Sequence, residues 1–293
     1  MGQGAFTDIH GHGGGGHSFG DSVDGTLAAA AAHREAGTRA MVASLVSLPL
    51  AELERQIGVV REAMNSDPSL LGIHLEGPFL APSRKGAHDP GSLALPTPEL
   101  VGRLLGACGD ALRQITMAPE LPGALEAIET FVDAGVAVAV GHTDADAPVA
   151  REAFDRGATL VTHAFNAMHG IAGREIGPVG AALDDSRVFI EVIADGIHVD
   201  PALIATLFRA APGRIVLVTD AMAAAASSDG RYLLGSREVE VSGGRAVLTG
   251  TGTLAGSTLT LRRAVEVCVE AGVPRDDAVA AASAVPRAAL GLD

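Results

Sequence analysis

Apolar residues along the chain fall into short unbroken runs, separated by longer stretches in which they recur every three or four positions. Val136-Ala137-Val138-Ala139-Val140 and Ile215-Val216-Leu217-Val218 show no polar alternation, the pattern of strands buried on both faces of a parallel sheet. Runs of this kind predict strands over Ala5–His10, Arg39–Ser47, Leu70–Glu76, Leu112–Ala118, Val136–His142, Thr159–His163, Val188–Asp195 and Arg214–Asp220. Between most of them the spacing predicts helices over Thr26–Ala36, Ala51–Asn65, Thr97–Ala107, Gly123–Ala134, Ala147–Arg156 and Pro201–Ala211. Thr97-Pro98-Glu99 places a capping hydroxyl before a proline at the first helical position. Gly37, Gly135 and Gly157 each follow a helix as a C-terminal stop. Eight strands with intervening helices predict a (β/α)8 TIM barrel, with a doubly wound open sheet as the alternative. The GxGxxG match at Gly11–Gly16 does not open a helix, the next being predicted from Thr26, which argues against a dinucleotide-binding version of the open sheet.

Two segments depart from that rhythm. Tyr232–Leu248 alternates around turn signals at Gly235-Ser236 and Gly243-Gly244, a small β-hairpin excursion after the eighth strand. Leu259–Leu290 reads as two helices divided near Gly272-Val273-Pro274. No internal repeat, charge block or long linker interrupts the chain, and residues 1–293 are expected to form a single (β/α)8 domain.

Composition narrows the function. Of 293 residues, 47% are hydrophobic and 19% charged, which excludes a disordered chain. The net charge of −14 argues against a general nucleic-acid binder, and the absence of Trp with one Tyr and eight Phe argues against base-stacking platforms. An anionic small molecule would need a local positive pocket. Cys108 and Cys268 are far apart and lack CxxC partners, so neither a thiolate zinc site nor a disulfide framework is expected. No stretch has the length and apolarity of a membrane span, and no basic leader precedes an apolar run. A soluble cytoplasmic protein is expected.

Position makes the polar residues informative. His10, Glu76, His142, His163, Asp195 and Asp220 each stand at the C-terminal end of a predicted strand. In a barrel these ends converge on one face, and His, Asp and Glu together are ligands for Zn²⁺, Fe²⁺, Mn²⁺ or Co²⁺. His10-Gly11-His12 puts two rings two residues apart on an emerging strand, although taken alone the pair also fits a Gly-rich surface loop. Glu76 ends a fully apolar run and requires a partner, either a metal or a salt bridge. His142 and His163 hold equivalent places on consecutive strands. Asp220 fits a ligand, a general base or a helix cap. His74 reads as a packed core histidine and His33 as a solvated helix residue. His17 and His169 fall in loops, His169 being a candidate substrate contact.

The motifs Thr7-Asp8-Ile9-His10-Gly11-His12, Gly72-Ile73-His74-Leu75-Glu76-Gly77-Pro78 and Lys85-Gly86-Ala87-His88 form one ordered set with Gly141-His142-Thr143-Asp144, Thr162-His163-Ala164-Phe165-Asn166-Ala167-Met168, Asp195-Gly196-Ile197-His198, Val218-Thr219-Asp220-Ala221-Met222 and Leu254-Ala255-Gly256-Ser257. This set resembles the amidohydrolase superfamily and, within it, the N-acetylglucosamine-6-phosphate deacetylase family. The resemblance covers nearly the whole chain. Many amidohydrolases bridge two metals with a carboxylated lysine; the only lysine here, Lys85, lies in a loop, which leaves Glu76 as the available substitute.

The resemblance implies Glu76, His142 and His163 as ligands of one ion. It implies His10 and His12, with Glu76 bridging and Asp220 nearby, as holders of a second. Two divalent ions per chain are therefore expected, Zn²⁺ first, with Fe²⁺, Mn²⁺ or Co²⁺ as alternatives. It further implies Asp220 as the proton carrier and His88 as polariser of the acetyl carbonyl. Asn166, Ala167, Arg174, His198 and Leu254, together with His88, would bind the sugar phosphate. The implied reaction is removal of the N-acetyl group from an amino-sugar 6-phosphate in amino-sugar catabolism, by a homodimer. Alternatives are another amidohydrolase, such as a cyclic amidase or a deaminase, and a silent barrel that only binds amino-sugar phosphate. The small β-domain that relatives build from flanking segments is expected to be absent.

Overall fold

A computed structural model describes residues 6–292. Eight parallel strands follow one another around a single sheet in sequence order: β1 (Phe6–Gly11), β2 (Thr38–Val46), β3 (Leu70–Glu76), β4 (Leu112–Met117), β5 (Ala137–Val140), β6 (Leu160–Val161), β7 (Phe189–Ile193) and β8 (Ile215–Val218). Most of their residues are buried, and β5, β6 and β8 consist wholly of Val, Ile, Leu and Ala, as two-sided burial demands. The first and last strands meet at the C-terminal end. There the Asp220 N–H donates to the His10 carbonyl (2.8 Å), His12 N–H donates to that of Ala221 (2.7 Å), and Gly11 bridges Ala221 in parallel. Within this seam the buried Asp8 carboxylate accepts from Thr219 Oγ1 (2.5 Å) and from the Thr219 N–H (3.3 Å). The sheet is thus a nearly closed (β/α)8 barrel, and the open doubly wound alternative is excluded.

Helices α1 (Val23–Glu35), α2 (Leu50–Met64), α3 (Pro98–Cys108), α4 (Ala124–Asp133), α5 (Ala147–Asp155), α6 (Gly177–Asp184) and α7 (Pro201–Ala210) lie between the strands. Thr97 caps α3 as predicted, its Oγ1 accepting from the Leu100 N–H at 3.3 Å. The helix α6 was not foreseen: six of its eight residues are buried, so it has no polar face to betray a helical period. The C-terminal region forms three short helices, α8 (Leu261–Glu270), α9 (Arg275–Ala281) and α10 (Ala284–Ala289), rather than two. Ser283, at φ −136° and ψ −75°, divides the last pair.

The excursion after β8 is a three-stranded antiparallel meander, β9 (Gly230–Leu234), β10 (Arg237–Ser242) and β11 (Arg245–Leu248), larger than the expected hairpin. Both turn signals hold. Leu234 pairs with Arg237 and Ser242 with Arg245, leaving Gly235-Ser236 and Gly243-Gly244 as two-residue turns. Gly243 and Gly244 both have positive φ (57° and 79°), which a turn matching the strand twist requires. Its apolar face packs Leu234, Val239, Val241 and Leu248 against Met222 in a small core of its own.

Several expectations need adjustment. Ala5 lies outside the described residues. Strands β5 and β6 stop short of His142 and His163. His33 is buried rather than solvated, because its Nε2 bonds the Gly13 carbonyl at 2.8 Å and braces the loop after β1. His74 is the packed core residue expected, with Nδ1 on Ser44 Oγ (2.9 Å) and Nε2 on Thr116 Oγ1 (2.8 Å). Both cysteines are buried and unpaired, and burial pushes each thiol up to about 12. No helix among the described residues is long and apolar enough to cross a membrane.

Candidate metal centre and active site

The strand ends deliver their polar side chains to one buried point. Glu76, the last residue of β3, stands at its middle. Its Oε1 is 3.1 Å from His142 Nε2, 3.2 Å from His163 Nε2 and 3.4 Å from His10 Nε2. Its Oε2 is 3.4 Å from His12 Nε2 and 3.1 Å from His88 Nε2. Asp220 Oδ1 lies 3.2 Å from His12 Nε2 and 3.5 Å from His10 Nε2. The inward turn has a local cause. His142, His163 and Asp220 take positive φ values of 48°, 25° and 49°, so the chain leaves each ladder abruptly just before its functional residue. For non-glycine residues such a conformation is strained, and strain of this kind gathers at functional sites.

Partners of the second ring nitrogen decide what each histidine can do. His12 Nδ1 faces the Ser44 carbonyl at 3.2 Å, and His142 Nδ1 faces the Arg84 carbonyl at 2.8 Å. A carbonyl only accepts, so Nδ1 carries the proton and Nε2 turns a bare lone pair to the centre. His10 Nδ1 bonds the Glu191 carboxylate at 3.0 Å, with the same result. His88 is the reverse. Its Nδ1 accepts from the Ser47 N–H at 3.3 Å, which leaves the proton on Nε2. His88 is therefore a donor into the site and not a ligand, although its ligand atom clusters with those of Glu76 and His142.

This donor set fits divalent cations. His10 Nε2 is buried without a hydrogen-bond partner among the described residues, and His142 Nε2 faces His163 Nε2 at only 3.0 Å. Two imidazole nitrogens held that close favour a shared cation. The charges agree. Burial opposes ionisation of His10, but the Glu191 and Glu76 carboxylates prevail and raise it well above the ordinary imidazole value. Burial likewise opposes charge on His12, yet Asp220 and Glu76 carry it to about 9. Burial alone would raise Glu76 and Asp220. The His142 ring holds Glu76 well below the usual carboxylate range, and chiefly His12 holds Asp220 at about 2. Burial depresses His88, keeping it the neutral donor its geometry requires.

Above the centre opens a cavity of about 370 Å3, within the range of small-molecule sites. His12, Glu76, His88, His142, His163 and Asp220 form its floor, while His10 lies wholly beneath it. Of the residues expected to bind substrate, Asn166, Ala167, His198 and Leu254 line the wall. Arg174 does not. Ala172 and Glu175 pair in a short bridge, so Arg174 projects at an exposed turn outside the cavity. Asp195 acts at one remove, with Oδ2 2.7 Å from His198 Nδ1 and Oδ1 accepting from the Ile197 and His198 N–H groups at 2.8 Å. His169 pairs with Asp144 at 3.0 Å and stays off the lining.

Sequence reasoning missed two cations of the wall. Arg84 is tied to Asp144 at 2.6 Å, whereas Arg237 has no ion pair among the described residues. Neither sits at a strand end of the barrel, the only positional signal used. Beneath the floor it also missed Glu191 and Gln114.

Comparison with known proteins agrees with the geometry. The model of the amidohydrolase family matches residues 5–293. The N-acetylgalactosamine-6-phosphate deacetylase of Escherichia coli O157:H7 is 39% identical over 99% of this chain and 78% of its own length. The N-acetylglucosamine-6-phosphate deacetylase of Bos taurus is 36% identical over 98% of this chain and 74% of its own. Among solved structures, a mutant of the N-acetyl-D-glucosamine-6-phosphate deacetylase from Mycobacterium smegmatis, in complex with N-acetyl-D-glucosamine-6-phosphate, superposes with a TM-score of 0.94. It is 44% identical, and the match covers 98% of this chain and 77% of that one.

Proposed function

The chain belongs to the amidohydrolase family, and from that premise we propose that it hydrolyses the N-acetyl group of N-acetyl-D-glucosamine 6-phosphate, giving D-glucosamine 6-phosphate and acetate. The observation that carries the reading is the sorting of the imidazoles. Three turn bare Nε2 atoms inward around Glu76, and one, His88, turns an N–H into the same cavity.

Glu76, His142 and His163 would hold one divalent ion, and His10, His12 and Asp220 a second, Zn²⁺ suiting the ligand set best. When bound, such ions supply Lewis acidity toward water and toward the amide carbonyl. The protein's own groups do the rest. Asp220, ionised at neutral pH, accepts a proton from the attacking water as its oxygen bonds to the carbonyl carbon. The Nε2–H of His88 donates to the carbonyl oxygen as negative charge gathers there. Asp220 then returns the proton to the amide nitrogen as the C–N bond breaks, so the amine leaves neutral. Asn166, Ala167, His198 and Leu254 hold the sugar phosphate against the wall. Among the wall cations Arg84 is committed to Asp144, so Arg237 is the one available to the phosphate. The enzyme acts as a cytoplasmic homodimer in this reading, and its two reduced, buried cysteines suit that compartment.

The test is acetate release by metal-stripped protein reloaded with Zn²⁺, Mn²⁺ or Fe²⁺. The N-acetylglucosamine and N-acetylgalactosamine 6-phosphates and unphosphorylated N-acetylglucosamine serve as substrates. Metal-dependent turnover of N-acetylglucosamine 6-phosphate ahead of the other two is expected. Faster turnover of the galacto epimer would correct the substrate. No turnover by folded, loaded protein would leave only binding.

A further inference from the structure

We infer that Glu191 is a positioning residue of the metal centre, a buried carboxylate that fixes the ring of His10 and the backbone of His163 together and so sets ligands of both ion sites at once. The inference rests on the metal-centre reading above. Glu191 lies in the middle of β7, within Phe189-Ile190-Glu191-Val192-Ile193, and is wholly buried inside the barrel. Removing an ionised carboxylate from water costs several kcal/mol unless it is well partnered. No Lys or Arg pairs with it among the described residues. Its partners are instead three donors: Gln114 Nε2 at 2.6 Å on Oε1, with His10 Nδ1 at 3.0 Å and the His163 N–H at 3.3 Å on Oε2.

That arrangement has two consequences. A carboxylate on Nδ1 permits only the Nδ1–H form of His10, which leaves the orphaned Nε2 free to ligate. It also raises the electron density of the ring. The N–H bond to His163 holds the strained residue whose Nε2 reaches Glu76 Oε1 at 3.2 Å. Gln114 holds the carboxylate in turn, and its own Oε1 has no partner among the described residues. An amide at position 191 therefore has an easy substitute geometry: Gln114 flips and presents its oxygen. Glu191→Gln keeps the volume and removes the charge. The His163 N–H on the same position keeps the amide oxygen toward His10, so the variant preserves the tautomer but loses the charge that strengthens the ring as a ligand.

The experiment is competition titration of metal-free protein with Zn²⁺ against a chromophoric chelator, with imidazole ¹H–¹⁵N spectra of the metal-free wild type alongside. Glu191→Gln is expected to weaken Zn²⁺ binding by about 10- to 100-fold, the range for groups that orient ligands from behind. In its neutral form, wild-type His10 is expected to carry its proton on Nδ1 alone. Zn²⁺ affinity unchanged in Glu191→Gln overturns the inference, as does an Nε2–H form of His10 in the wild type, a readout independent of how the variant folds. A folded wild type that binds no Zn²⁺ fails the metal-centre reading first and this inference with it.

Discussion

At the scale of single residues, function here turns on which nitrogen of each imidazole carries the proton. Glu76 was legible from the sequence because a carboxylate closing an apolar run needs a partner. Glu191 gave the same signal inside an apolar strand, but away from a strand end it resembled no motif. The second partners of His12, His88 and His142 could not be read at all, since Ser44, Ser47 and Arg84 meet those rings through backbone atoms. The assignment of His88 as donor is directly testable. His88→Asn should lower kcat about 10²- to 10³-fold, as loss of one oxyanion donor does, while metal content by mass spectrometry stays at the wild-type level. Loss of an ion instead would make His88 a ligand. For the phosphate, Arg237→Ala should raise KM about tenfold or more with kcat nearly unchanged. Arg174→Ala, altered outside the cavity, should leave both near wild type in steady-state kinetics. A pH test falls on Asp195. Burial works against its charge, but His198 and the N–H groups of His198 and Ile197 outweigh it and hold the carboxyl below its ordinary value. A depressed folded-state value stabilises above the unfolded carboxylate pKa of about 3.9 and is lost as pH falls through the folded one. Thermal unfolding of Asp195→Asn should therefore lie below wild type at pH 7 and converge with it toward pH 3.

At the scale of elements, the strands and most outer helices were legible to within a few residues, α6 and the division of the C-terminal helices excepted, because two-sided burial writes long apolar runs. Their ends were not. The predicted strands ran through His142, His163 and Asp220, whereas the ladders stop short of all three, where positive φ throws the side chains inward. Tertiary packing enforces that exit. A Cβ at Gly141 would stand 2.6 Å from Thr162 Cβ and 2.9 Å from Thr116 Cγ2, so β5 can lie against its neighbours only without a side chain there. Gly141→Ala should cost about 1–3 kcal/mol in urea unfolding and displace His142, lowering metal content as well. Full metal content at reduced stability would show that the strand shifts without moving its ligand. The meander was placed correctly but undersized, and its part in the site was invisible from the sequence. Its Leu234–Arg237 turn reaches the cavity wall and so joins the barrel's chemistry to an element outside the barrel.

For the whole molecule, a net charge of −14 surrounds a centre in which the buried carboxylates Glu76 and Asp220 stay ionised, an environment that favours cations. Ligands that bind only the folded state stabilise it, by about 2.7 kcal/mol at a hundredfold excess over Kd. Chelation should lower Tm by several degrees, and restored Zn²⁺ should recover it; a Tm indifferent to both would deny the centre any part in stability. The seam between β1 and β8 extends this point. Asp8 and Thr219, bonded across it, are 211 positions apart, and the ligands divide the same way, His10 and His12 on one lip and Asp220 on the other. No covalent link spans that gap, so an ion held there would act as a clasp on a ring made from a linear chain. A chain still emerging from the ribosome, with seven strands made, owns only one half of the clasp. Retention of that ion would then report that the last strand has docked, and metal capture would become a count of finished barrels.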